Sequence, residues 1–249
     1  ATGFWRLALA TPFLLAVGYR FGFRMSTVSR STLWLIIVAG VFFGVDIVLW
    51  HIGIFQTKMA NATIFANCAS LLLVVYGVIG ARKMPSRWEG AAILFAFLGA
   101  ALLMGQSLEL SPRHFTGDLL SLGAGLTYTV YLVSMMKVRQ NTESWGALGM
   151  ASAFAAVVLL ACALFAGEQI IPTEWWPVVL LAFTSQFFGQ GCLTYALPHF
   201  SPLVIGLALL LQPALSAAAG WLAFGETLTA MDFTGSALVM LALVLVRKQ

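Results

Sequence analysis

Charge is what this chain has least of. Aspartate, glutamate, lysine and arginine make up 9% of its 249 residues, against roughly 25% in soluble domains. So few ionised groups cannot coat a water-facing surface, which excludes a soluble globular fold. There is no basic stripe and no charged helix face, so nothing suits the phosphate backbone of a nucleic acid. The three cysteines, Cys68, Cys162 and Cys192, all lie inside apolar stretches. That argues against a disulfide framework and for small core residues. His-Glu-x-x-His, Gly-x-Ser-x-Gly and any Cys/His set at metal-ligand spacing are absent. No enzyme, catalytic residue, metal or cofactor is therefore expected. The start of the chain lacks a basic stretch ahead of a short apolar core, so no cleavable signal peptide is expected.

What is abundant is hydrocarbon: 61% of residues are hydrophobic and mean hydropathy is +0.95. The lipid bilayer must be the main solvent, and a helix crossing its roughly 30 Å core needs about 20 apolar residues. Nine such segments are legible, approximately Phe4–Phe23, Leu33–Phe55, Ala60–Gly80, Trp88–Gly105, Gly117–Met136, Trp145–Ala166, Trp176–Leu197, Leu203–Phe224 and Phe233–Val246. An all-α integral membrane protein follows. Ten of the thirteen basic residues, Arg20, Arg24, Arg30, Arg82, Lys83, Arg87, Lys137, Arg139, Arg247 and Lys248, fall on one side. The positive-inside rule makes that side, and the C-terminus, cytoplasmic. Ala1 then lies outside, which leads us to expect one further helix before it and ten spans in all.

A shift of 145 positions superposes Gly44, Gly80 and Gly90 on Gly189, Gly225 and Gly235, with Phe55 on Phe200, Ala69 on Ala214 and Ala92 on Ala237. Helix ends coincide as well. Residues 1–105 form a first repeat lacking its first helix, and residues 106–249 a second. Five spans per repeat is an odd number, so the halves insert in opposite orientations, a recurring design in transporters with the substrate site between the halves.

The runs Tyr195-Ala196-Leu197, Ser201-Pro202, Leu210-Leu211-Gln212-Pro213 and Phe224-Gly225-Glu226-Thr227-Leu228, followed by Gly235, resemble the EamA family of the drug/metabolite transporter superfamily. The resemblance implies ten helices in two inverted five-helix bundles in the bacterial inner membrane. It also implies movement of small metabolites, often amino acids, in the manner of an exporter. The first half departs from the pattern: Asn67-Cys68 stands where the second has Gln212-Pro213, and Ala81 where it has Glu226.

Ionisable groups at membrane depth are costly and mark functional candidates. Asp46 lies within the second span and Arg6 near the outer end of the first. They form either an ion pair that binds a zwitterion or couples a proton, or a structural lock, with Arg6 snorkelling. The offset pairs Trp50 with Tyr195 and Asn67 with Gln212. One reading places Trp50, His51 and Asn67 at an outer constriction and Tyr195 and Gln212 at an inner one, as alternating access requires. The other reads them as interfacial aromatics and amides bonding across helices. Gln186 and Gln190, with Tyr128, Tyr131 and Ser134, are candidates for the path between. His114 and His199 are expected to be solvated in connections, and the fourth and ninth segments to be peripheral scaffold.

No cavity lysine or arginine is available to offset a phosphorylated cargo. Neutral or zwitterionic small molecules, amino acids foremost, are therefore the expected substrates. The alternative, a channel or facilitator, would need a continuous polar stripe or charged ring. Cargo identity, direction, coupling and oligomeric state are not legible.

Overall fold

A computed structural model describes residues 1–82, 84–105, 111–224 and 229–246. Gly225 to Leu228 of the family-like motif, Glu109, Lys83 and the tail residues Arg247 and Lys248 lie outside them. Among the described residues every regular element is helical: α1 (Thr2–Arg20), a 3₁₀ turn (Met25–Thr27), α2 (Arg30–Ile54), α3 (Met59–Ala66), α4 (Cys68–Ala81), α5 (Arg87–Gly105), α6 (Phe115–Val138), α7 (Ser144–Phe165), α8 (Trp176–Leu181), a π-helical segment (Ala182–Gln190), α9 (Gly191–Ala196), α10 (Pro202–Leu209), α11 (Gln212–Phe224) and α12 (Ala230–Val246). Arg30–Ile54, Asn61–Ala81, Phe115–Val138 and Ser144–Phe165 are each long and apolar enough to cross a membrane. The protein is a multi-pass membrane protein.

Three of the nine segments are not plain α-helices. The third is interrupted at Asn67 and the eighth at Leu210 and Leu211. At the first break the Ser70 amide bonds the Asn67 carbonyl, and at the second the Leu211 amide bonds that of Ala208. Both are tightened, three-residue bonds. Pro213 explains the second break, because it has no N–H to give and crowds the preceding turn. The seventh segment widens into the π-helix, a geometry rare in proteins and frequent at functional sites. Within it the Thr184 hydroxyl donates to the Leu180 carbonyl at 2.7 Å, a side-chain bond that competes with the helical ladder.

The chain forms two compact units, residues 1–52 with 126–199 and residues 53–125 with 200–249. Lipid tails are as apolar as leucine, so helices inside a membrane associate chiefly by close packing of small residues. In the first unit α1 lies antiparallel on α7. A Cβ on Gly18 would sit 2.5 Å from the Gly146 amide nitrogen, and one on Gly3 would meet the Leu159 side chain. The other face of α7 receives α2, where Gly40 lies against the Ala151 carbonyl. α7 ends in a Schellman turn: Gly167 has φ +66°, and the Glu168 amide reaches back to the Ala163 carbonyl at 3.0 Å.

In the second unit α5 packs on α12 and α4 on α10, each again antiparallel. Gly99 faces the Gly235 carbonyl, Gly77 faces Leu203, and Gly206 faces the Ser70 carbonyl. Val74, Ala96, Leu207, Leu210, Val239 and Ala242 fill the core between these four helices. All three pairs (α1 with α7, α4 with α10, α5 with α12) join segments related by the 145-residue offset. The outward sides of α5 and α12 expose Leu94, Leu98, Met240 and Val244, a surface suited to lipid. Cys162 and Cys192 are also exposed, contrary to their expected core position. In a membrane protein both the inward and the lipid-facing sides are apolar, so an apolar neighbourhood does not distinguish them.

Gly99→Leu is expected to separate α5 from α12, because even its Cβ would lie 2.6 Å from the Gly235 carbonyl oxygen. The overpacking should cost about 1–3 kcal/mol and lower the melting temperature in detergent. Gly90→Leu on the same helix meets open space and should melt as the wild type does. Equal melting of the two variants would contradict the packing.

Candidate functional site

The polar residues of the first unit gather where α2, α6, α7 and the π segment meet. Phe43 of α2 stacks on Tyr131 of α6 at 4.5 Å between ring centroids, and Tyr131 stacks on Tyr128 at 5.5 Å. The two tyrosines are three residues apart and so share a face of α6. Gln190, at the end of the π segment, joins them. Its Oε1 accepts from the Tyr131 hydroxyl and its Nε2 donates to the Tyr128 hydroxyl, each at 3.2 Å. One amide thus uses its acceptor and a donor on a pair of phenols. Tyr131 is 1% exposed, so this bond lies in surroundings where an unpaired hydroxyl would be costly.

Gln186 takes a different partner. Its Nε2 donates to Ser152 Oγ of α7 at 2.9 Å, and its Oε1 is buried without a partner among the described residues. Glutamines four residues apart on an α-helix would share a neighbour. Here Gln190 reaches α6 while Gln186 reaches α7. The segment's aromatic side anchors it to the unit: Phe187 stacks on Trp145 at 5.2 Å and Phe183 meets Phe13 edge-on at 5.0 Å.

Arg6 and Asp46 belong to the same region. Gly3, one turn before Arg6, lies against Ile47, the neighbour of Asp46. Arg6 is within electrostatic reach of Asp46, Tyr128 and His51, and Asp46 of both tyrosines. The expected direct ion pair is not formed, however. No nitrogen–oxygen contact within 4.0 Å joins them among the described residues. The Arg6 Nε is buried without a partner, and both side chains are half-buried.

The other sequence candidates are held locally. His51 Nδ1 lies 2.7 Å from the Ile47 carbonyl and therefore donates to it, with Trp50 meeting its ring edge-on. Asn67 turns back onto its own helix, Nδ2 donating to the Thr63 carbonyl at 2.9 Å. The Tyr195 ring rests beside His199, and Gln212 is exposed at the start of α11. His114 differs from its expected solvation: it is half-buried, with Nδ1 shielded and unpartnered.

Sequence reasoning missed several residues. Phe43 carried no signal, because an aromatic in an apolar span usually means core. Asp118, not singled out from the sequence, is buried in the first turn of α6. It accepts from the Thr57 hydroxyl at 2.5 Å and from Asn61 Nδ2 at 3.1 Å. Its position at a helix start was the available clue. Arg139 ties the C-terminal end of α6 to the Thr194 carbonyl of α9 at 3.1 Å and to the Thr142 carbonyl.

The fold resembles a solved crystal structure at TM-score 0.77 and 19% identity, over 98% of this chain and 86% of that one. The model of the EamA-like transporter family matches residues 115–248, more than half of the chain. The chain belongs to the EamA-like transporter family. It is a membrane transporter and not an enzyme. Among curated relatives, it is 26% identical over 235 residues to the threonine/homoserine exporter RhtA of Escherichia coli K12, covering 90% of this chain and 73% of that protein. It is also 21% identical over 245 residues to the pseudopaline exporter CntI of Pseudomonas aeruginosa, covering 97% and 83%.

If Gln190 bridges the two phenols, a double-mutant cycle of Tyr131→Phe and Gln190→Leu should give a coupling of about 0.5–1.7 kcal/mol, the range of hydrogen bonds within membrane proteins. Reversible unfolding in mixed micelles measures it. Strict additivity would show that the bond does not form.

Proposed function

We propose that this EamA-like transporter exports small neutral or zwitterionic metabolites, amino acids foremost, from the cytoplasm of a bacterial cell across the inner membrane. The carrying observation is the Tyr131–Gln190–Tyr128 cluster, an amide and two phenols set in an otherwise apolar bundle and held by a π-helical segment. Aromatic faces and neutral donors recognise small polar molecules without demanding a net charge. Among the described residues the charges beside this cluster, Arg6 and Asp46, are of opposite sign, so the site as a whole favours cargo of no net charge. A phosphorylated cargo would need an excess of Lys or Arg there. Relatives named as exporters of threonine, homoserine and pseudopaline support the same direction and size class.

Alternating access between two inverted repeats is the mechanism we propose. The antiparallel pairing of α1 with α7, α4 with α10 and α5 with α12 supports it, since each pair joins helices from corresponding apolar segments of the two sequence halves. The breaks at Asn67 and at Leu210–Leu211 support it too. They fall at equivalent positions, as broken helices do in transporters built from such repeats. In this scheme Trp50, His51 and Asn67 serve the outer side, Tyr195 and Gln212 the cytoplasmic side, and the C-terminus is cytoplasmic.

Proteoliposomes holding the full chain, preloaded with unlabelled amino acids, should show saturable counterflow of labelled threonine, homoserine or another neutral amino acid. Gln190→Leu should reduce it by at least about tenfold, the worth of one lost polar contact in a closed site. Leu94→Ala, on the lipid side of α5, should not. No counterflow with any neutral amino acid would overturn the cargo assignment, and conductance without saturation would overturn the carrier.

A further inference from the structure

We propose that Arg6 and Asp46 read the two ends of a zwitterion, the guanidinium binding a free carboxylate and the carboxylate a free ammonium group. This rests on the reading of the protein as an amino-acid carrier and specifies which chemical features its cargo must keep.

Two opposite charges in a medium of low dielectric attract strongly and are stable when they touch and share hydrogen bonds. Arg6 and Asp46 attract one another but do not touch. No described residue donates a hydrogen bond to the Asp46 carboxylate, and Arg6 Nε is buried and unpartnered. Each group is thus left with unused bonding capacity. Both lie within electrostatic reach of Tyr128, which stacks on Tyr131, with Phe43 stacked on Tyr131 in turn. Gln190 already holds both phenols and so leaves the charges unanswered.

A structural ion pair would have brought the two charges into direct contact. The two helices already meet closely at Gly3 and Ile47, so distance between the backbones is not what keeps the charges apart. A ligand carrying a carboxylate and an ammonium on adjacent carbons offers one charge to each residue and inserts no net charge. A cargo lacking either group leaves one buried charge unmet, and that penalty makes the pair a filter for unmodified amino acids.

The test is counterflow in proteoliposomes of the full chain. It uses whichever neutral amino acid the wild type carries, its N-acetyl derivative (no ammonium) and its amide (no carboxylate). For the wild type, both derivatives should exchange at least about tenfold less well than the parent, the cost of a lost charge-assisted bond. Asp46→Asn should weaken the parent by about ten- to a hundredfold and bring the N-acetyl form within about threefold of it, while the amide stays excluded. Arg6→Gln should do the reverse, admitting the amide, and Arg6→Lys should restore discrimination. A purely structural role would lower parent and derivatives together. Equal wild-type exchange of parent and derivatives overturns the inference without any variant, and leaves amino-acid transport standing. Absence of exchange by the wild type with every unmodified amino acid overturns the cargo assignment itself, and this inference with it.

Discussion

The rest of the structure depends on one constraint: inside a bilayer every backbone polar group must find its partner within the protein. Most of the chain meets it by regular α-helix, whose ladder uses the backbone completely. Three segments do not, and each exception is compensated by side chains or tightened turns. Asn67 bonds the Thr63 carbonyl at one break, and the Leu211 amide takes the Ala208 carbonyl at the other. Along the π segment Thr184 supports the Leu180 carbonyl while Gln186 and Gln190 engage α7 and α6. Polar side chains and irregular backbone therefore fall together.

The same constraint explains how the units are held. With no hydrophobic drive between helices in lipid, backbones must approach closely, and glycine supplies the approach at Gly18, Gly77, Gly99 and Gly206. Phenylalanine and tryptophan then lock the irregular segment in register, Phe187 on Trp145 and Phe183 on Phe13.

The sequence showed where helices run and left their interior texture hidden. All nine apolar segments appear at nearly their expected bounds, because hydropathy measures transfer to lipid and transfer is what sets a span. The same measure cannot see which hydrogen bond a carbonyl accepts. Pro213 made one break legible; Asn67 gave no comparable sign, and nothing in Ala182–Gln190 announced a π-helix. Tyr128, Tyr131 and Gln190 were found as candidates because polar groups stand out in apolar spans, while Phe43 could not be. Asp118 was not singled out because nothing in the sequence shows that Thr57 and Asn61 donate to it. Arg6 and Asp46 were legible as a pair, but their lack of direct contact was not.

The central claim is that the face of the π segment bearing Gln190 lines the aqueous transport path. Single-cysteine accessibility tests it most directly, in a background where Cys68, Cys162 and Cys192 are replaced by serine. A water-soluble methanethiosulfonate should react with Gln190→Cys in proteoliposomes and be blocked by transported amino acid. Phe188→Cys, on the exposed apolar side of the same segment, should stay unreactive. Reaction at position 188 but not at 190, or reaction at 190 that no transported amino acid affects, would contradict the account.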